Sequence, residues 1–308
     1  MNKVSRSGFT FIELLFVIVI LGIVGGIALE AIRQYFDGIY RTQVYTQRVA
    51  EADLILDKLS KYFENAIDLS IVNMDQDAAD GALVGHCEGD PKEEAENIAH
   101  DYTVALIGVD SDSLHTVSGN PGWSEEAVVT GATLAFPDSN LTAADATITA
   151  LYPASDLANS AIYSYEGYVG SCSDFNWDSS GGLAAYLTIT GVSGNTLSIT
   201  NHSGQPILPD RKYLLKSGYA FRVLNTGEFI MFYNFRPWKG EIYSNGQRST
   251  LGTNVASFYA DFNNTNSFND RGSIWRLKVC MRGLDTNLTT NDIAADAICR
   301  ERRVHVRY

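Results

Sequence analysis

Apolar residues are concentrated at the N-terminus of this chain. From Phe9 to Leu29 the sequence is FTFIELLFVIVILGIVGGIAL, an apolar run that contains one charged residue, Glu13. A helix of that length spans roughly 30 Å, which is about the thickness of one hydrocarbon core. Because Lys3 and Arg6 precede the run, we expect the short leader to stay cytoplasmic and the rest of the chain to be exported.

A second pattern begins where the apolar run ends. From Glu30 to about Ile71 the chain has no proline, and Gly38 is its one glycine. Apolar residues recur there at steps of three and four, which predicts an amphipathic helix with one buried face. Either this is a separate soluble helix, or it joins the apolar run in one helix of about 60 residues, roughly 90 Å long. The apolar positions are Val49, Ala52, Ile55, Leu56, Leu59, Tyr62, Phe63, Ala66 and Ile67, and the polar face holds Glu51, Asp53, Asp57, Lys58 and Lys61.

Beyond residue 72 the pattern changes to short segments rich in β-branched and aromatic residues. Each is bounded by Gly, Asn, Asp or Pro, which predicts strands. A hairpin is predicted around the loop Asn225-Thr226-Gly227. The acidic composition of residues 75–101 predicts a surface loop. The pattern in residues 111–181 predicts a loop-rich insertion or a small subdomain. A long helix followed by an antiparallel sheet is an α+β fold. The predicted strands are Tyr102–Val109, Leu183–Thr190, Thr196–Asn201, Tyr213–Leu224, Glu228–Phe235, Ile274–Met281 and Val304–Tyr308.

Two ordinary interpretations of the N-terminal run fit it poorly. A secretory signal peptide ends its apolar region at a small-x-small cleavage site, but this run is longer and Ala28 leads into charged helix. A plain signal anchor has no reason to carry Glu13 near its start, because a carboxylate is costly to dehydrate there and usually marks function.

The string SGFTFIELL at residues 7–15 resembles the processing motif of type IV prepilins and type II secretion pseudopilins. The resemblance implies that a prepilin peptidase cuts after Gly8 at the cytoplasmic face and N-methylates the new first residue, Phe9. It also implies that Glu13, the fifth residue after the cut, pairs with the Phe9 amine of a neighbouring subunit during assembly. An unpaired buried charge costs several kcal/mol, so this pairing would select the register between subunits.

The same resemblance implies a pilin-like domain organisation. Residues 1–8 would be the cytoplasmic leader, 9–29 the transmembrane and assembly helix, 30–71 an amphipathic helix continuing into the head, and 72–308 an exported, β-rich head. The precursor is expected in the bacterial inner membrane as a single-pass protein with its head outside the cytoplasm, before it enters a pilus or a periplasmic pseudopilus. Its expected partners are prepilin peptidase, other pilin or pseudopilin subunits, and the inner-membrane assembly platform.

Two departures from the family favour a minor subunit with an initiation or tip role. The first proline is Pro91, whereas many major pilins carry one within the apolar helix, and the chain is larger than typical major subunits. The alternative is a pilus-tip binding subunit, an adhesin or a DNA-uptake protein. A less favoured alternative is a membrane-anchored exported enzyme.

Composition adds a charge argument and a cysteine argument. The formal net charge of −13 argues against broad nucleic-acid binding.

The even number of cysteines, four at wide spacing, fits two disulfides in an oxidising compartment, although four buried free thiols stay an alternative. Cys280 and Cys299 flank a loop of about 20 residues and are expected to pair, with a stabilisation of ~3 kcal/mol. By the resemblance, such a bond staples a surface loop that contacts subunits or ligands. Cys87 and Cys172 would form the second pair.

Other chemistry has weaker support. No cofactor is expected apart from calcium, which some minor pseudopilins bind; a solvated loop is the default interpretation of the candidate ligands. The sequence Asp75-x-Asp77-x-x-Asp80-Gly81 has the wrong spacing for an EF-hand. The five histidines are scattered singly, and no nucleophile-elbow, His-x-x-x-His or phosphate-loop motif occurs, so an enzyme is not predicted. The candidate calcium ligands are Asp285, Asn287, Asn291 and Asp292.

The C-terminus is basic, and two hypotheses account for it. One is contact with a nucleic-acid backbone. The other, which we favour, is a strand edge protected by charge or a surface of salt bridges to the acidic loops. On a strand, Arg300 and Arg302 would share one face, and Arg303, His305 and Arg307 the other. Further basic residues nearby are Arg271, Arg276, Lys278 and Arg282.

Overall fold

The computed structural model describes residues 10–75, 84–85, 103–113, 121–151, 155–164, 172–177, 182–208, 211–262, 273–283 and 297–307. These residues form a long N-terminal helix and a mostly antiparallel β head. The predicted α+β, pilin-like fold is therefore confirmed. The chain divides into two compact units, Met1–Arg48 and Val49–Tyr308.

In the N-terminal unit the described residues form the first part of helix α1, which runs continuously from Phe11 to Glu64. One segment of α1 is long and apolar enough to cross a membrane, and none of that segment is buried in the protein. The large apolar side chains between Phe11 and Leu29 are 44–80% exposed. Leaving such surface in water costs about 25 cal/mol per Å². This unit therefore requires a lipid environment or the surface of another protein.

The last part of α1 belongs to the head and is amphipathic, as predicted. Its buried side chains recur at steps of three and four, which places them on one helix face. Leu54 lies on the opposite face and is 57% exposed. Tyr62 is partly buried and packs against the core. The fully buried apolar residues of this face are Ala52, Ile55, Leu56, Leu59 and Phe63.

Helix α1 ends at Glu64, whereas the sequence pattern predicted helix to about residue 71. The reason is that the following residues pair with a strand of the head. Ala66 forms a bridge with Gly108, the Ile67 N–H donates to the Ile107 carbonyl at 3.0 Å, and Asn65 accepts a hydrogen bond from the Val109 N–H at 2.8 Å. These backbone groups are consequently unavailable to the helix.

Among the described residues, eleven strands form the larger sheet, and β9 (Lys212–Val223) is its central member. Strand β9 pairs antiparallel with β3 (Thr103–Val109), β6 (Ala161–Ser164) and β10 (Phe229–Phe235). The strand order is β2-β1-β3-β9-β6-β7-β8-β5-β4, and β11 pairs with β10. The remaining members are β1 (Val72–Asp75), β2 (Val84–Gly85), β4 (Val128–Thr130), β5 (Thr133–Ala135), β7 (Leu187–Ser193), β8 (Thr196–Asn201) and β11 (Gln247–Gly252).

A second sheet has the order β12-β13-β14, with β12 at Val255–Phe262, β13 at Ile274–Met281 and β14 at Ile298–His305. Side chains of this sheet share one apolar core with α1, β9 and β10. Strands β3 and β9 alternate between two cores. Leu106 and Phe221 face the core that contains α1, whereas Ile107 and Ala220 face a second core on the other side. The larger sheet is therefore buried on both faces at its centre.

The strand predictions succeeded where the pattern was local. Strands β8 and β13 have the predicted bounds, and the hairpin of β9 and β10 is confirmed. The C-terminal strand was predicted at Val304–Tyr308 but is Ile298–His305. It extends further towards the N-terminus because it pairs with β13 along the whole of that strand. Its run of charged residues concealed this pairing in the sequence.

The described parts of residues 111–181 contain more regular secondary structure than the predicted loop-rich insertion. They include strands β4, β5 and β6 and a short helix, α2 (Leu141–Leu151). Apolar residues of this region form a third core with β7 and β8, and Trp123 and Phe136 pack there with ring centroids 4.2 Å apart. The acidic stretch at residues 75–101 lies almost entirely outside the described residues.

Two leucines of α1 give a matched test of this packing. We expect Leu56→Ala to lower the free energy of unfolding by about 2–5 kcal/mol, because Leu56 is 1% exposed and truncation leaves a cavity. We expect Leu54→Ala to change it by less than about 0.5 kcal/mol, since the side chain faces outward. Denaturant unfolding of the detergent-solubilised protein, followed by tryptophan fluorescence, measures both. Equal effects of the two substitutions would contradict the assigned buried face.

Candidate processing and assembly site

Of the residues that the sequence singled out for processing and assembly, the structure describes Glu13, in the first turn of α1. The Thr10 carbonyl accepts hydrogen bonds from the N–H groups of Glu13 at 3.1 Å and Leu14 at 3.2 Å, so Thr10 is the N-cap of the helix. Glu13 follows three residues later, which is the spacing of a capping box. The Thr10 hydroxyl donates to Glu13 Oε2 at 3.5 Å. A carboxylate in this first turn also interacts favourably with the positive end of the helix dipole.

Glu13 has no cationic partner within the part of the chain that the structure describes. Its neighbours along the helix are apolar, and their side chains are exposed. In an apolar environment the contact with Thr10 and the helix dipole would stabilise the carboxylate only in part. The Glu13 carboxylate can therefore form an ion pair with a cationic group of another chain.

Gly8 and Phe9 lie outside the described residues, as do Lys3 and Arg6. Cleavage after Gly8 and methylation of Phe9 therefore stay predictions from the sequence. The described residues begin at Thr10, and α1 begins at Phe11.

The expected disulfide between Cys280 and Cys299 is present in the structure. The two cysteines face each other in register on β13 and β14, with 4.0 Å between their Cα atoms and 2.06 Å between their sulfurs. Cys87 lies outside the described residues, and Cys172 begins a short 3₁₀ helix, so its pairing with Cys87 stays a prediction. All four candidate calcium ligands, Asp285, Asn287, Asn291 and Asp292, also lie outside the described residues.

Two C-terminal arginines bind the helix. Arg300 Nε lies 3.0 Å from Asp53 Oδ1, and Arg302 forms an ion pair with Asp57. Four helical residues rise about 6 Å and two strand residues about 6.6 Å, so the two acids match the two arginines in spacing. The favoured hypothesis of a salt-bridged strand holds for Arg300 and Arg302, although their partners belong to α1 and not to the acidic loops.

The other basic residues of the C-terminal region have separate positions. Arg276 pairs with Asp261 at 2.7 Å, and Arg282 donates to the Asn225 carbonyl at 2.8 Å. Arg303 and His305 are exposed and lie on the face of β14 opposite to Arg300. Arg271 lies outside the described residues.

Sequence reasoning gave no sign of Lys212, which is completely buried. Its ammonium group donates to the Leu208 carbonyl at 2.7 Å and to Ser164 Oγ at 3.1 Å, and its carbonyl accepts from Trp123 Nε1 at 2.7 Å. These bonds join β6 and β9 to the segment around Trp123. We interpret Lys212 as a structural residue.

Nothing in the described residues forms a metal centre. No group of three or more His, Cys, Asp or Glu side chains lies close enough to hold an ion in those ranges. Of the five histidines, the structure describes His202, whose Nε2 lies 2.9 Å from Thr188 Oγ1, and His305. His86, His100 and His115 lie outside the described residues.

Comparison with known proteins supports the N-terminal site. Residues 3–29 match the family described as the prokaryotic N-terminal methylation motif, which is the prepilin-type cleavage and methylation motif of type IV pilins and pseudopilins. No curated protein and no solved structure matches the chain. The family is structural and not enzymatic. The match covers the processing and assembly residues and does not extend into the head.

The disulfide generates a prediction about stability. We expect replacing both Cys280 and Cys299 with serine to lower the free energy of unfolding by about 2–4 kcal/mol, because the bond links two cysteines that are 19 positions apart in the sequence. Denaturant unfolding measures the loss, and non-reducing peptide mapping of the exported protein should recover the linked pair. Recovery of Cys280 bound to Cys87 or Cys172 would contradict this connectivity.

Proposed function

We propose that this chain, which carries the prepilin-type cleavage and methylation motif, is a minor pilin or minor pseudopilin. It enters a type IV pilus or a type II secretion pseudopilus through its N-terminal helix. The observation that carries the proposal is the coincidence of that motif with an exposed apolar segment long enough to cross a membrane. The motif and the helix together fit a membrane-anchored precursor that later joins a filament.

Processing prepares the N-terminus for assembly. Glycine at position 8 lets the prepilin peptidase approach the backbone closely. Cleavage there creates a positive amine on Phe9, which the same enzyme methylates. That amine lies in apolar surroundings and requires a carboxylate partner, while Glu13 lacks a cationic partner within the described residues of its own subunit. The two groups complement each other between neighbouring subunits.

Thr10 contributes to this arrangement before assembly. Its hydroxyl and its capping position hold the Glu13 side chain at the first turn of α1. The carboxylate therefore has a defined axial position in the first turn of the helix. A neighbouring amine that meets it fixes the axial register of the two subunits, because any other register leaves both charges unpaired in an apolar phase.

Several observations support export of the head and a minor role. The disulfide on β13 and β14 is typical of an oxidising compartment outside the cytoplasm. The described residues of the head form two sheets and three apolar cores, and α1 contains no proline. A large head on an assembly helix suits a subunit present in few copies, which initiates or caps the filament. The expected partners are prepilin peptidase, other pilin or pseudopilin subunits and the inner-membrane assembly platform.

Processing is tested at the N-terminus. We expect the mature protein to begin with N-methylated Phe9, and we expect Gly8→Val to leave the leader attached because a side chain there blocks the peptidase. Intact mass and N-terminal sequencing of membrane-extracted protein measure both. Gly22→Ala is the matched control, since the space around Gly22 is open and its substitution should leave cleavage unchanged. A mature chain that begins near residue 30 would mean ordinary signal-peptide cleavage.

Assembly is tested at Glu13. We expect Glu13→Leu to be inserted and cleaved normally but to enter filaments at least tenfold less, which corresponds to the loss of at least about 1.4 kcal/mol of pairing energy. The measurement is co-purification with sheared filaments or with the other subunits at matched membrane levels. Glu30→Leu is the control, because it removes a carboxylate from the same helix far from the new amine. Normal incorporation of Glu13→Leu would contradict the pairing and favour a tip position or a plain anchor.

A further inference from the structure

A groove of about 550 Å³ opens on the head between the last turns of α1 and the larger sheet. The helix contributes Lys58, Lys61 and Tyr62 to its lining, and β9 contributes Lys216 and Tyr219. Its volume lies within the range of roughly 300–1,000 Å³ that small-molecule sites occupy. The groove belongs wholly to the head, and neither the methylation motif nor the assembly helix accounts for it.

The groove is basic although the chain is acidic. Three lysines line it, and Asp112 is the one carboxylate among the lining residues that the structure describes. Lys216 Nζ donates to Asp112 Oδ2 at 3.3 Å. Three positive charges less one negative charge leave a local balance of +2, whereas the whole chain carries −13. A local charge opposite in sign to the rest of the protein attracts anions from solution.

Lys58 and Lys61 are the accessible charges of the groove. They are three residues apart on α1, so they share a face and repel each other. Neither forms an ion pair with any carboxylate in the described parts of the chain. Lys61 lies in the last turn, where the helix dipole favours a cation. The dipole does not explain Lys216, which lies on a strand with a side chain only 13% exposed.

Tyrosines complete the lining. The rings of Tyr62 and Tyr219 pack with centroids 4.9 Å apart, and Tyr233 lies beside them. Tyr219 covers Gly108 so closely that a Cβ at position 108 would lie 2.5 Å from its ring. Gly108 therefore permits the ring to lie flat against β3. Burial raises the pKa of Tyr62 although Lys216 opposes the shift, so its hydroxyl stays a hydrogen-bond donor at neutral pH.

We propose that this groove binds a small organic anion that carries at least two carboxylate, phosphate or sulfate groups. The ammonium groups of Lys58 and Lys61 pair with these oxyanions, Lys216 supports the positive potential from the wall of the groove, and tyrosine hydroxyls donate hydrogen bonds to the ligand. Such a ligand reaches the head either as a free anion or as part of an acidic sugar. The proposal does not rest on the role of the chain in a filament.

Calorimetric titration of the full-length, detergent-solubilised protein tests the site. The probes are citrate, inorganic pyrophosphate and a heparin-derived tetrasaccharide, with single-stranded DNA as the competing class. At about 0.15 M salt we expect at least one of the first three to bind with a Kd below about 1 mM. Preference for the tetrasaccharide assigns the site to acidic sugars, and preference for citrate or pyrophosphate assigns it to free anions. Binding of DNA alone, or of no probe, would overturn the proposal.

Matched variants separate the groove from overall charge. We expect Lys58→Gln with Lys61→Gln to weaken binding at least tenfold, and Tyr62→Phe to weaken it about threefold through loss of one hydrogen bond. Lys239→Gln with Lys278→Gln removes the same charge elsewhere on the head and should change the Kd less than about twofold. Equal weakening by both lysine pairs would show non-specific attraction and overturn the site.

Two further measurements keep the outcome independent of folding and of assembly. The unfolding temperature, followed by tryptophan fluorescence, should be the same for both lysine pairs because all four side chains lie at or near the surface. The groove variants should also be cleaved after Gly8 and enter filaments normally. Loss of binding with normal assembly supports the groove, while retained binding in the Lys58 and Lys61 variant overturns it whatever the filament assay shows.

Discussion

The apolar face of α1 between Ala52 and Phe63 is the contact on which the head depends. It packs against the centre of the larger sheet and against the smaller sheet, and all three contribute to one core. Phe63 lies between Phe221 of β9 and Trp275 of β13, with ring centroids 6.1 and 6.3 Å away. Removing this helix face would expose apolar side chains of both sheets, which otherwise contact each other where Phe258 of β12 packs on Phe221 and Phe229. The helix is thus both the core of the head and the continuation of the apolar segment.

Ion pairs around this core affect the register of strand β14 more than they affect the free energy of unfolding. The pairs Asp53–Arg300 and Asp57–Arg302 are partly exposed, and pairs of this kind contribute about 0–1 kcal/mol each. Their spacing nevertheless aligns α1 with β14. The two aspartates lie about one helical turn apart, and each faces one of two arginines on the same face of the strand. A shift of β14 by one residue would turn both arginines away from the helix. The ion pairs therefore select the register of the C-terminal strand, which the Cys280–Cys299 bond also fixes.

The proposed assembly site and the proposed ligand site occupy separate parts of the chain. The N-terminal helix carries the methylation motif and an apolar segment long enough to cross a membrane, and Thr10 and Glu13 lie at its first turn. The head carries a basic groove with its own set of lysines and tyrosines. A subunit with this division could join a filament through one end and present a small-molecule site on the other compact unit. That combination accords with a minor subunit, whose head need not repeat along the filament.

The sequence by itself determined the features that depend on residues close together in the chain. The processing motif, the apolar segment, the buried face of α1 and the β9–β10 hairpin all follow from patterns within a few tens of residues, where side-chain period and turn chemistry decide the structure. Tertiary structure decided the rest. The end of α1 at Glu64 depends on pairing with β3, and the bounds of β14 depend on β13. Asp53 and Arg300 are 247 residues apart, and Lys58 and Lys216 line one groove only because the helix packs on β9. No local pattern encodes such distances, because the partners come together only when the apolar core brings the helix and the sheets into contact.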